Sequence, residues 1–146
     1  IKIYFNNRIK RCFLKQVMVD AIVKRAALIL KLNNIELELN IVGDGVIRQL
    51  NQIYRGTNKP TDVLAFAWQD ERKVDTNFLG QIYICYPQIV RQSKHYQINE
   101  IIELKRMVIH GLLHLLGYNH HQPKQAKIMF GWQEKIINHE LQISKS

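Results

Sequence analysis

The run from Glu100 to Leu116 constrains this chain more than any other stretch. Its apolar residues recur at helical spacing, and it carries two histidines, His110 and His114, four residues apart. On a helix, positions four apart project from one face a turn apart. Two imidazoles placed that way can grip one metal ion from a rigid rod. Gly117 follows the last periodic position, where a glycine can take the left-handed conformation that ends a helix. The chain then turns back, and His120 comes three residues later. Three neutral imidazoles with an open fourth position are the catalytic form of a zinc site, as distinct from the closed structural form. A single histidine on an apolar face is usually a core residue. Three at these offsets, with a helix-stopping glycine between the second and third, point to a metal site.

The spacing matches the metzincin zinc signature at every place but one. Gly111 stands where that signature has its general-base glutamate, which counts against peptide hydrolysis by the usual route. The size of the chain, 146 residues, is that of a single domain with a core of its own. With 47% apolar and 23% charged residues, the composition is that of a soluble globular protein. No stretch reaches the ~18 uninterrupted apolar residues of a membrane helix. The opening Ile-Lys-Ile-Tyr-Phe lacks the order of a signal peptide, and without a starting Met a residue or two is expected to be missing in front of it. Cys12 and Cys85 fit no metal or redox spacing, so they are expected to be small core or surface residues, free thiols suited to a reducing cytoplasm. The formal charge of +9, from 21 Lys and Arg against 12 Asp and Glu, favours a polyanionic partner, most simply nucleic acid.

Taken in order, the chain reads as alternating strands and helices. Residues 1–5 form a short strand, closed by a turn at Asn6-Asn7. A helix is expected from about Lys15 to Leu32, burying Leu14, Val17, Met18, Ala21, Ile22, Leu28, Ile29 and Leu32. Ile35, Leu37, Leu39 and Ile41 alternate with polar residues, as in a strand with one exposed face. Asp44 is placed to cap a short helix from Val46 to Tyr54. A turn-rich loop carrying Arg55 and Lys59 leads into the apolar run Val63 to Trp68, a central strand buried on both faces. A polar loop over 69–77 precedes a fourth strand from Phe78 to Cys85, in which Gly80 marks close backbone approach or a bulge. Pro87 opens a helix reaching Tyr96, Asn99 caps the histidine helix, and Pro123 starts a last helix. His139, on that last helix, is expected to be solvated.

The string His-Gly-Leu-Leu-His-Leu-Leu-Gly-Tyr-Asn-His from His110 to His120 resembles the signature of the YbeY family, bacterial metal-dependent endoribonucleases directed at single strands. Three further blocks resemble that family in the right order: Leu50-Asn51-Gln-Ile-Tyr54-Arg55, Pro60-Thr61-Asp62-Val63-Leu64-Ala65-Phe66, and Leu79-Gly80. The chain departs from the family at Asn119, Gln81 and Asn58, where Asp is usual, and at Ala65, where Ser is usual. A carboxylate that orients a histidine also raises its basicity, and an amide does not.

The resemblance implies an α+β fold: a single small domain over 1–146, with a four-stranded mixed sheet, about five helices, and a zincin-like metal-binding helix in the core. It implies that His110, His114 and His120 hold one divalent metal ion, zinc first among the candidates. It implies cleavage of single-stranded or ribosomal RNA in 3′-end maturation of small-subunit rRNA and in ribosome quality control. The partners implied are ribosomal small-subunit proteins and an assembly GTPase, in the cytoplasm and off the membrane. Arg55 matches the family's catalytic arginine, and a guanidinium suits the charge that develops on phosphate oxygens. Arg55 can equally be read as satisfying the last carbonyls of the helix before it. Arg8, Lys10, Arg11 and Lys59 are further phosphate contacts or plain surface charges. Either attack on phosphorus or deprotonation of a 2′-hydroxyl would give cleavage, and both stay open. The rival expectations are a metalloprotease-like hydrolase and a non-catalytic RNA-binding factor of ribosome assembly.

Overall fold

The computed structural model describes residues 1–68 and 77–144. Strand β1 (Lys2–Asn7) leads into helix α1 (Gln16–Leu30), then β2 (Glu36–Val42), α2 (Asp44–Arg55), β3 (Val63–Ala67), β4 (Phe78–Cys85), α3 (Tyr86–Tyr96), α4 (Glu100–Leu115) and α5 (Pro123–Ser144). The sheet order is β1-β2-β4-β3. β1, β2 and β4 run parallel, and β3 pairs antiparallel with β4 at the edge. The fold is therefore the expected small domain with a four-stranded mixed sheet and five helices.

The two inner strands carry the core. Leu39 faces Ile82 and Ile41 faces Ile84 across the β2–β4 register, and all four are fully buried. Helices α1, α4 and α5 cover this face, with Leu104, Val108, Leu112 and Leu113 of α4 fully buried. The other face holds a smaller cluster of Val42, Ile47, Leu64 and Cys85 under α2. Asn99 caps α4 by accepting from the backbone N–H groups of Ile101 and Ile102, and Glu100 and Glu103 sit in its first turn, where negative charge suits the helix dipole. Pro87 lies in the first turn of α3. At Gly80 an added Cβ would come within 2.1 Å of the Phe66 carbonyl oxygen, the close approach expected of that glycine.

Several expectations are corrected. The Val63 to Trp68 run is not a central strand: β3 lies at the edge, and Trp68 beyond it is 55% exposed. An unbroken apolar run can arise from burial on both faces or, as here, from small residues on one face and an aromatic cluster on the other. The buried stripe of α1 is Val19, Ile22, Val23, Ala26 and Ala27, while Val17 and Leu28 are 71% and 64% exposed. Apolar residues occur nearly all round this helix, so their spacing does not select the phase. Gly43, not Asp44, is the N-cap of α2. The Asp44 carboxylate instead accepts two N–H bonds from Arg91 of α3, which hold its pKa down to about 2. Asn6 and Asn7 lie within β1, and Asn7 shapes the turn after it by accepting from the Ile9 N–H. Asn40 of β2 is buried, so that strand is not exposed along one whole face. The loop expected over 69–77 falls, but for Asn77, outside the described residues.

Cys12 and Cys85 are free and buried. Burial pushes the Cys85 thiol up to about 12. Among the described residues no helix is long and apolar enough to cross a membrane.

Candidate active site

The last two turns of α4 project His110 and His114 into a cleft. Beyond Leu116 the Gly117 N–H donates to the His114 carbonyl and the Tyr118 N–H to the Leu113 carbonyl. That pair of bonds, with Gly117 at φ 97°, is a Schellman stop. It reverses the chain and returns His120 to the other two rings. One nitrogen from each of His110, His114 and His120 lies within 4.8 Å of the others. The Nε2 atoms of His110 and His114 are 3.2 Å apart, close to the separation of two ligands about 2.0–2.1 Å from one zinc ion.

Burial keeps the His110 and His114 rings neutral. Burial pushes His110 below its ordinary range, against a hydrogen bond from the ring to Gln133 and the nearby Asp62 charge. Burial also lowers His114, to about 4, with the charges of His110, His120 and Arg55 adding to the shift. A neutral imidazole is the form that ligates a metal.

Gln133, on α5, fixes which nitrogen of His110 faces the cleft. Its Oε1 lies 2.7 Å from His110 Nδ1, and its Nε2 donates to a Glu134 carboxylate oxygen at 3.2 Å. A carboxylate only accepts, so the amide must present its oxygen to His110. His110 therefore donates from Nδ1 and turns the Nε2 lone pair towards His114. Arg106 holds Glu134 in turn, at 3.0 Å. Sequence reading missed Gln133. The signal was there: a polar residue between Met129 and Ile136, both fully buried, on the core-facing stripe of α5.

The cleft measures about 590 Å³ and runs between the histidines, the edge strand β3 and the end of α2. Arg55 lines it, opposite the histidines. The last carbonyls of α2 are met by backbone, with the Gly56 N–H donating to Gln52 and the Thr57 N–H to Asn51. Among the described residues the Arg55 guanidinium has no hydrogen bond or ion pair, and it stands free to meet a ligand. Asn51 is buried beneath it and ties the following loop to α2 by donating to the Lys59 carbonyl at 2.9 Å. Arg8, Lys10, Arg11 and Lys59 do not line the cleft, whereas His121 does. Phe130 of α5 stacks over His110 and His120, with centroids 6.1 and 6.0 Å away. His139 is exposed on α5, away from the cleft.

Gly111 faces away from the cleft. A Cβ there would lie 2.7 Å from Ile82 Cγ2, so α4 is pressed on β4 at this residue. The amides at the departures from the family pattern bond elsewhere. Gln81 donates to Glu38, and Asn119 accepts from the His121 N–H.

Residues 5–140 match the family model described as Endoribonuclease YbeY. The chain belongs to the YbeY endoribonuclease family. It is 35% identical to the Endoribonuclease YbeY of Ureaplasma urealyticum over all of this chain and 96% of that one. The Sulfurihydrogenibium relative of the same name is 34% identical over 92% of this chain and 86% of its own. The solution structure of TM1509 from Thermotoga maritima superposes with a TM-score of 0.64 at 30% identity, covering 92% of this chain and 86% of that one. The YbeY blocks quoted above include Arg55 and the β3 residues on one wall of the cleft and the three histidines on the other.

Proposed function

We propose that this chain is a metal-dependent endoribonuclease that cuts single-stranded RNA, with small-subunit rRNA 3′-end maturation and ribosome quality control as its setting. The observation that carries the reading is the convergence of His110, His114 and His120 in one cleft with the Arg55 guanidinium, which has no partner among the described residues. The three imidazoles hold one divalent ion, zinc first, and the donor set fits it. Burial keeps the His110 and His114 rings neutral, and the tautomer selected by Gln133 aims a lone pair of His110 where a cation would sit. Such an ion supplies activation of water near neutral pH and neutralises charge on a phosphate.

The remaining steps belong to the side chains. Arg55 donates its fixed fork of N–H groups to the non-bridging phosphate oxygens as their charge grows. Gln133 holds His110 in one orientation. Phe130 walls the ligand rings on the α5 side. The rRNA setting, the cytoplasmic location and the partners, ribosomal small-subunit proteins and an assembly GTPase, rest on family membership alone.

β3, at the edge of the sheet beside the histidines, is the strand a peptide substrate would pair with. Gly111 weighs against that reading, because its position is filled by Ile82 and cannot carry a carboxylate to the cleft. Elemental analysis of the purified chain beside His114→Ala, with cleavage of labelled single-stranded RNA followed in both, tests the proposal. One ion per parent chain, none in the variant and loss of cleavage with the ion are expected. RNA cut equally fast by the variant would refute a metal-dependent reaction. Binding of RNA without cleavage by either would make the chain an assembly factor.

A further inference from the structure

Both walls of the cleft run on into aromatic residues at the Arg55 end. On α2, Asn51 and Arg55 line the cleft, and Tyr54, three residues after Asn51, shares that side of the helix. On β3, Leu64 lines the cleft, and Phe66, two residues on, shares its face. The two rings meet with centroids 4.8 Å apart, and Phe66 rests edge-on against Tyr83 of β4 at 5.9 Å. Phe66 also packs on the small cluster under α2, which fixes it in place. Tyr54 is 63% exposed: its ring is braced on one side and open on the other.

Proteins that hold single-stranded nucleic acid pair a positive groove with aromatic faces on which bases stack. Here the positive group is Arg55, and the whole chain carries +9. We infer that Tyr54, braced by Phe66, is a stacking platform for an unpaired RNA base beside the phosphate that Arg55 engages. A duplex keeps its bases stacked on one another and offers none to the ring, so the platform selects for unpaired strand. Stacking is indifferent to base identity, so sequence preference at this position is weak. The inference rests on the reading of the cleft as an RNA-cutting site.

The test is equilibrium binding of a fluorescent single-stranded 2′-O-methyl oligonucleotide, intact and with one abasic site moved along it. Tyr54→Ala is expected to weaken binding of the intact strand about tenfold, the order of one lost base–aromatic stack. Tyr54→Trp restores the affinity and Tyr54→Leu does not. At one abasic position the parent loses the same factor and Tyr54→Ala loses nothing further. The dependence of affinity on salt is unchanged by Tyr54→Ala, because no phosphate contact is removed. Equal affinity of parent and Tyr54→Ala, full rescue by Leu, or an equal loss on duplex RNA would overturn the platform. So would displacement of the oligonucleotide by an unstructured neutral peptide whose own binding needs Tyr54. Binding requires no turnover, so the two readings fail separately. A strand held at Tyr54 but never cut supports the platform and sinks the nuclease, while RNA cut at full rate with Tyr54→Ala binding as the parent does the reverse.

Discussion

On the sheet side of α4, Gly111 leaves no room for a side chain, because a Cβ would meet Ile82 Cγ2 at 2.7 Å. One residue earlier, on the cleft side, His110 is held by Gln133 and lines the cleft. The sheet side is governed by volume and the cleft side by chemistry, and neighbouring residues of one helix answer to different constraints. This explains how a zinc-binding spacing can lack the base that follows its first histidine. The place for that base is spent on packing.

The sharpest way to break this contrast is Gly111→Glu. Overpacking of a filled core costs about 1–3 kcal/mol, and burying an unpaired carboxylate adds several more. A loss of at least ~4 kcal/mol is expected, a large share of a domain's marginal stability. Urea unfolding beside a peptide-cleavage assay checks it. A variant as stable as the parent that cuts peptides would show the glycine to be incidental.

A second, smaller effect concerns the metal-free protein. His114 titrates at its ordinary value near 6.5 when unfolded and at about 4 when folded. Between those values the unfolded chain binds a proton that the native chain refuses. Stability therefore falls as pH drops from about 7 to about 4 and levels off below, by at most ~3 kcal/mol for this group, since the ring partly faces solvent. His110 shifts in the same direction and adds to the slope. Urea midpoints in chelator at three pH values measure it, and His114→Ala is expected to flatten the dependence. An unchanged slope in that variant would mean that other groups set it.

Arg55→Lys sharpens the contrast from the opposite wall. The ammonium keeps the charge and loses the fork. Cleavage is expected to fall by about 100-fold, the order of one lost transition-state donor, with metal content and melting temperature unchanged. Equal turnover would remove Arg55 from the chemistry.

Much of this was legible in the sequence, for definite reasons. The histidine site is local: two residues on one helix face, a glycine stop and a third residue just past it are all written within eleven positions, His110 to His120. The four strands and five helices were legible because alternation, caps and Pro87 are local signals. What was not legible depends on distant partners. The phase of α1 is chosen by which side meets α4 and α5, not by its own nearly uniform apolar surface. The edge position of β3 follows from its antiparallel pairing with β4. Asp44 was read as a cap because Arg91, 47 residues away, could not be seen beside it. Gln133 lies 23 residues from His110, and the contact exists because α5 folds back along α4.

That last contact gives the smallest expected effect and the most specific one. Replacing Gln133 by Leu keeps the volume and removes the acceptor at His110 Nδ1. The ring then has no reason to hold its proton there, and the ligating nitrogen is no longer preorganised. Metal affinity, measured by competition with a chelator, is expected to drop about 10-fold, the low end for loss of a group that orients a ligand. Nitrogen NMR of the metal-free chain reads the cause directly. The Nδ1–H tautomer dominates in the parent, and the Nε2–H form gains in Gln133→Leu. Gln133→Glu restores the Nδ1–H form, since a carboxylate accepts the same bond, and binds metal at least as tightly as the parent because it also raises the basicity of the ring. A leucine variant with the parent's tautomer ratio and affinity would mean that packing alone sets the ring, and the cleft side of α4 would then obey the same rule as its sheet side.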